Sequence, residues 1–159
     1  MESEKKKGYA ARITQANRSE LVVIIYELML DSIQEAQENF VSGNLETADR
    51  ELKRAQGLLT EMRGSLDFQY EISVNLAALY RYVHEQLVHS IVRQKDVNLD
   101  SCQRVLRGLM TGFVEVAKQD HSEPVMENVQ QVYAGLTYGR GSLNEVAVDA
   151  GQSGRGFRV

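Results

Sequence analysis

NRSELVVIIYELMLDSIQEAQENFVSGNLETADRELKRAQGLLTEMRG, residues 17–64, is the stretch on which the fold turns. Asn17 stands just before a long apolar run. Its side chain can accept a backbone N–H, and Glu20, three residues on, can reach back in a capping-box arrangement. A helix is therefore predicted from about Arg18 to about Ser42, and Gly43 is placed to end it in a left-handed turn. Asn44 then caps a second helix over roughly Leu45–Gly64. In that helix Leu45, Ala48, Leu52, Ala55, Leu59 and Met62 recur every three or four residues, and Leu66 continues the series. This is the seam of an antiparallel bundle, and the two-residue connection makes the helices antiparallel neighbours. In the first helix Leu21, Ile25, Leu28, Ser32, Ala36 and Phe40 follow one face. Val22, Val23, Ile24, Tyr26 and Leu30 widen the stripe most of the way round. A helix apolar on several sides is either central in its bundle or covered by something else.

The pattern continues toward the C-terminus. After a loop at Ser65–Gln69, a third helix is predicted from about Tyr70 to Gln94, with Ile72, Leu76, Leu79, Val83, Leu87 and Ile91 on one face. Asn98 or Asp100 caps a fourth, in which Leu99, Cys102, Leu106, Leu109, Phe113 and Val116 repeat the spacing. Gly108 and Gly112 sit on another of its faces, where a second chain could approach closely. Ser122 can cap a short fifth helix with Pro124 in its first turn, where a missing N–H does no harm. Val125, Val129, Val132 and Tyr133 give that helix an apolar side. The expected architecture is all-α: an antiparallel up-down-up-down four-helix bundle with a short fifth helix. It divides into a mobile N-terminal arm (1–16), a helical bundle domain (17–134) and a Gly-rich C-terminal tail (135–159). The tail holds six of the twelve glycines. Leu136, Tyr138, Leu143, Val146, Val148 and Phe157 are too apolar for a pure spacer, so part of it is expected to dock.

Composition excludes several classes. The chain has 159 residues, 43% hydrophobic and 25% charged, with one proline and no tryptophan. That suits one domain with tails and argues against wholesale disorder. A net charge of −4 repels nucleic acid unless basic residues cluster. The only basic run is Lys5–Lys7, which reads as a solubilising tail. No apolar run is long enough to span a membrane, and no signal-peptide core follows the basic run, so the cytosol is the expected compartment and no direct membrane insertion is expected. Cys102 is the only cysteine and reads as a small buried hydrophobe. None of His84, His89 or His121 has a glutamate three residues before it, as di-metal bundle sites require. There is no Gly-x-Ser-x-Gly elbow and no phosphate-cradling glycine loop between strand and helix. Glu27, Asp31 and Glu35, four apart, read as a solvated helix face. Nothing points to a cofactor, a metal or an enzyme.

What remains is surface. Tyr26, Tyr80 and Tyr82 carry polar tips on apolar rings and suit half-buried grooves as well as core edges. With the wide stripe on the first helix they suggest a groove for an amphipathic partner. In the arm, Tyr9 and Ile13 are four residues apart and can fold back onto that stripe.

These features meet in a resemblance. Ala16-Asn17-Arg18-Ser19-Glu20-Leu21 with Ile25-Tyr26-Glu27, then Lys53-Arg54-Ala55-Gln56, then Ser65-Leu66-Asp67-Phe68, then Glu71-Ile72, Asn75-Leu76, Leu79-Tyr80-Arg81-Tyr82 and Lys95-Asp96 resemble the flagellar export chaperone family FliS, in order and at matching separations. Arg18 stands where the family usually has proline, and Phe113 stands in for its common tryptophan. The resemblance implies a cytosolic chaperone that binds the disordered C-terminal region of flagellin in hydrophobic surface grooves. Such a chaperone prevents premature polymerisation and presents its client to the flagellar type III export apparatus. From helical geometry and the family pattern, the candidate partner-binding residues are Tyr9, Ile13, Leu21, Ile24, Tyr26, Leu30, Asn75, Leu79, Tyr80 and Tyr82. The alternative is a non-enzymatic helical adaptor that homodimerises through its apolar stripe, and the sequence leaves monomer and dimer open.

Overall fold

The computed structural model describes residues 3–126. Five helices fill that range: α1 (Ser3–Gln15), α2 (Arg18–Ser42), α3 (Leu45–Gly64), α4 (Glu71–Arg93) and α5 (Leu99–Gln119). Asn17 and Glu20 form the expected capping box, the Asn17 side chain accepting from Glu20 N–H and the Glu20 carboxylate accepting from Asn17 N–H at 3.0 Å. Gly43 ends α2 with φ +81°, a conformation that costs a glycine little. Asn44 accepts from Thr47 N–H and starts α3.

The start of α5 differs from expectation. Asn98 is at the cap position with φ +58°, but its amide turns back and donates to Gln86 Oε1. Asp96 accepts the orphan Leu99 N–H instead, at 3.0 Å. Asp100 plays no capping role. Ser90 completes this turn, accepting from Val97 N–H at 3.0 Å.

Side-chain pairings fix the directions. Gln37 and Gln34 of α2 meet Asp100 and Gln103 of α5, while Tyr26 stacks on Phe113, so α2 and α5 run antiparallel. Tyr26 and Tyr80 meet across the diagonal between the parallel α2 and α4. Helices α2, α3, α4 and α5 thus close a ring in which each packs on its two sequence or end neighbours. The core joins Tyr26, Met29 and Ile33 to Leu52 and Leu59, to Tyr80, Val83 and Leu87, and to Leu99, Cys102 and Leu106. Each large aliphatic buried there contributes about 1.5–3 kcal/mol relative to exposure.

Three readings change. Residues 3–15, expected as part of an arm, are helix α1, which lies antiparallel on the outer side of α2. In α4, Ile72 is 64% and Leu79 37% exposed; Ser73, Tyr80 and Ser90 turn inward in their place. Residues 121–126 are not helical. Ser122 bonds to Asp120 rather than starting a helix, and Val129, Val132, Tyr133 and the tail from residue 135 lie outside the described residues.

Candidate functional site

Helix α2 has two apolar faces. One enters the bundle. The other carries Ile24 and Leu28, with Leu21 beside them, and is covered by Tyr9, Ile13 and Ala16 of the N-terminal segment. The spacing explains the fit: Tyr9, Ile13 and Ala16 lie four and three apart, which puts them on one side of a helix. Ile24 is left 2% exposed by this cover.

The rest of the α1–α2 contact is polar. Tyr9 Oη donates to Asp31 Oδ2 at 2.6 Å, and Lys5 Nζ pairs with the same oxygen at 2.9 Å. Arg12 donates to Glu27 Oε2 at 2.5 Å, and its guanidinium carbon sits 5.7 Å from the Tyr9 ring centre. Partial burial, then the hydrogen bond to ionised Asp31, pushes the Tyr9 hydroxyl well above its ordinary range. The Glu27 hydrogen bond likewise holds Arg12 protonated. Glu27 and Asp31 are therefore not simply a solvated face; they receive the cations of α1. Complementary charge between Lys5, Arg12 and that acidic row was the sequence signal for the contact.

A second apolar surface is open. Asp67 accepts Gln69 N–H at 3.0 Å in a tight turn between α3 and α4, and Tyr70 N–H returns to the Asp67 carbonyl. That turn leaves Phe68 and Tyr70 outward, 63% and 65% exposed, beside Val74. Leu66, Phe68, Val74, Ala77 and Ala78 line a groove of about 690 Å³ rimmed by Arg63 and Arg81. On the next face of α4, Ile72, Asn75 and Leu79 form an exposed row. Phe68, Tyr70 and Val74 are not among the sequence candidates, because apolar residues in and just after a loop give no periodic signal.

The ten candidates thus divide. Tyr9, Ile13, Leu21 and Ile24 come together between α1 and α2. Asn75 and Leu79 share the exposed row on α4. Tyr82 is half-buried and donates to Ser101 Oγ at 2.9 Å, tying α4 to α5. Tyr26, Leu30 and Tyr80 are inside the bundle instead of in a groove. The Tyr26 and Tyr80 hydroxyls lie 2.5 Å apart, and burial, then that hydrogen bond, pushes the Tyr26 hydroxyl far up. Cys102 is fully buried, and burial followed by the Asp96 charge raises its thiol to about 12.

Among the described residues no cluster of three metal-ligating side chains forms, and no helix is long and apolar enough to cross a membrane. Gly108 and Gly112 face open space. The geometry offers apolar contact area, one part covered by a short helix and one part bare, with charged rims.

The family model described as "Flagellar protein FliS" matches residues 1–120. The chain is also similar to the flagellar secretion chaperone FliS of Bacillus subtilis (strain 168), at 24% identity over 107 residues, covering 67% of this chain and 77% of that protein.

Proposed function

We propose a function from one premise: the chain belongs to the FliS family of flagellar proteins. A member of that family named as a flagellar secretion chaperone supports an export-chaperone role, in the bacterial cytosol and without catalysis. The client in this reading is the C-terminal segment of flagellin. It folds into amphipathic pieces on apolar surface that would otherwise drive subunit assembly, and the loaded chaperone hands it to the export apparatus.

The observation that carries the binding mode is the face of α2 at Ile24 and Leu28, roofed by a helix that rests on few apolar side chains. An amphipathic client helix can take the place of α1 there and extend over the exposed row Ile72, Asn75 and Leu79. Tyr9 and Ile13 act as the stand-in for client side chains. Such binding must offset about 2–5 kcal/mol of client ordering and also the detachment of α1. Apolar burial at about 25 cal/mol per Å² supplies the drive.

The test is calorimetric titration with the last ~40 residues of flagellin from the same organism, a length suited to a wrapping disordered ligand, against a scrambled peptide. Saturable binding with a large negative heat-capacity change is expected. Deleting residues 1–16 should tighten it, because the competing helix is gone. Unchanged affinity would remove α1 from the mechanism. No binding by either well-folded form would leave the homodimeric adaptor as the better reading.

A further inference from the structure

The chain leaves α5 along a defined path. Asp120 accepts Ser19 Oγ at 2.6 Å, and its carbonyl accepts Asn17 Nδ2 at 3.0 Å, so the strand after α5 is fastened to the elbow between α1 and α2. Five residues later the elbow is engaged again, as Val125 N–H donates to the Ala16 carbonyl at 3.0 Å. Val125 then lines, with Leu21, Val22, Ile25 and Met62, a cleft of about 260 Å³ between the start of α2 and the end of α3. Val125 remains 52% exposed there, so it does not fill the cleft.

From this point the apolar surface continues in one direction. Helix α1 already covers Ile24 and Leu28, against which Leu58 of α3 also packs. Ser65, on the wall of the cleft, is followed directly by Leu66 and then Phe68, which belong to the bare groove at the α3–α4 corner. The sequence that follows is suited to it. Residues 127–138 place Val129, Val132, Tyr133 and Leu136 at three- and four-residue separations, with Glu127 as the one charge and no cation. The groove is rimmed by Arg63 and Arg81.

We propose that the segment from Glu127 to Leu136 of this same chain crosses the end of α3 and covers the apolar corner at Leu66, Phe68 and Val74. The corner is then an intramolecular seat, distinct from the α2 face beneath α1, and it does not depend on the identity of the client. A tail anchored at Val125 has a high local concentration at the corner, which a free segment of equal apolarity lacks.

Amide hydrogen exchange on the full chain tests this without any client. Three proteins are compared: the full chain, a chain ending after Met126, and the full chain with Val129→Asp, Val132→Asp and Tyr133→Asp together. Residues 3–126 contain both apolar clusters, so the shortened chain keeps its fold. Exchange of residues 59–70 should rise about tenfold in both altered proteins, while amides in the middle of α2 stay protected. Equal exchange in all three overturns the proposal. So does protection that grows with protein concentration, which means a second copy is the occupant. Protection that appears only on adding the flagellin segment assigns the corner to the client and overturns it too. A uniform rise across every helix would reduce the segment to a general stabiliser.

Discussion

The two apolar faces of α2 differ in what lies against them. The inner face, through Tyr26, Met29, Ile33 and Ala36, meets α3, α4 and α5 at once, so no neighbour leaves without opening the whole core. The outer face meets chiefly one short helix, through Ile13 and Tyr9 and a handful of polar contacts at half-exposed positions, with Leu58 of α3 also packed against it. Surface ion pairs of that kind contribute about 0–1 kcal/mol each. On the proposed function, one helix thus carries a permanent interface and a detachable one. Burial of a residue does not say which it belongs to: Ile24 and Ile33 are both almost fully buried.

Matched charges should separate these faces most sharply. Ile33→Asp puts an unpaired charge among three helices and should remove about 5 kcal/mol or more, enough to unfold the bundle. Ile24→Asp should release α1, lowering helical ellipticity by that helix's share and changing the unfolding free energy read from urea denaturation by less than about 1 kcal/mol. Loss of the whole fold in Ile24→Asp would erase the distinction.

A pair of tyrosine-to-phenylalanine changes sharpens it further. Tyr80→Phe strands the buried Tyr26 hydroxyl and should cost about 1–3 kcal/mol by urea denaturation; Tyr26→Phe with Tyr80→Phe should recover much of that. Tyr9→Phe makes the same chemical change on the detachable side. It should leave global stability in place and speed exchange of α1 amides by roughly 2–10-fold, the equivalent of a hydrogen bond of about 0.5–1.5 kcal/mol.

The smallest expected effect is on pH. Asp120 is half-exposed, and hydrogen bonds from Ser122 and then Ser19 lower its carboxyl from 3.8 to about 2. Because the folded value is depressed, the clasp it makes is fully present above pH 3.8 and is lost as pH falls through about 2. NMR shifts of the Ser122 and Val125 amides should move together in that window while those of the α2 core stay put. A transition near pH 4 would mean Asp120 is not held by these hydroxyls.

The bundle was legible because its punctuation is local. Asn17 with Glu20, and Gly43 with Asn44, mark helix ends by rules that need no tertiary knowledge. The facing of α4 was not. Ile72, Leu76, Leu79 and Val83 form a valid helical stripe, yet the helix is rotated so that Ser73, Tyr80, Gln86 and Ser90 turn in. The polar groups that bond there find partners outside α4: Tyr80 with Tyr26 of α2, and Gln86 and Ser90 with Asn98 and Val97 just before α5. Hydrophobicity cannot signal such pairings. Helix α1 was missed for the opposite reason. Its composition is polar, and its order comes from docking rather than propensity. The candidate residues Tyr9, Ile13, Leu21 and Ile24 came from helical geometry together with the family pattern, whereas Phe68 and Tyr70 lie where spacing carries no information.

The hydroxyl pair of Tyr26 and Tyr80 has a further consequence. Two parallel helices in a greasy core can slip along each other by one turn, about 5.4 Å, and find similar apolar partners. Here a slip would part both hydroxyls and bury them unmet, so the axial offset of α2 and α4 is keyed at one point, with Phe113 stacked on Tyr26 as the stop. If α1 leaves α2 as proposed, the key at Tyr26 and Tyr80 lets it peel off the outside while the alignment of α2 and α4 stays fixed.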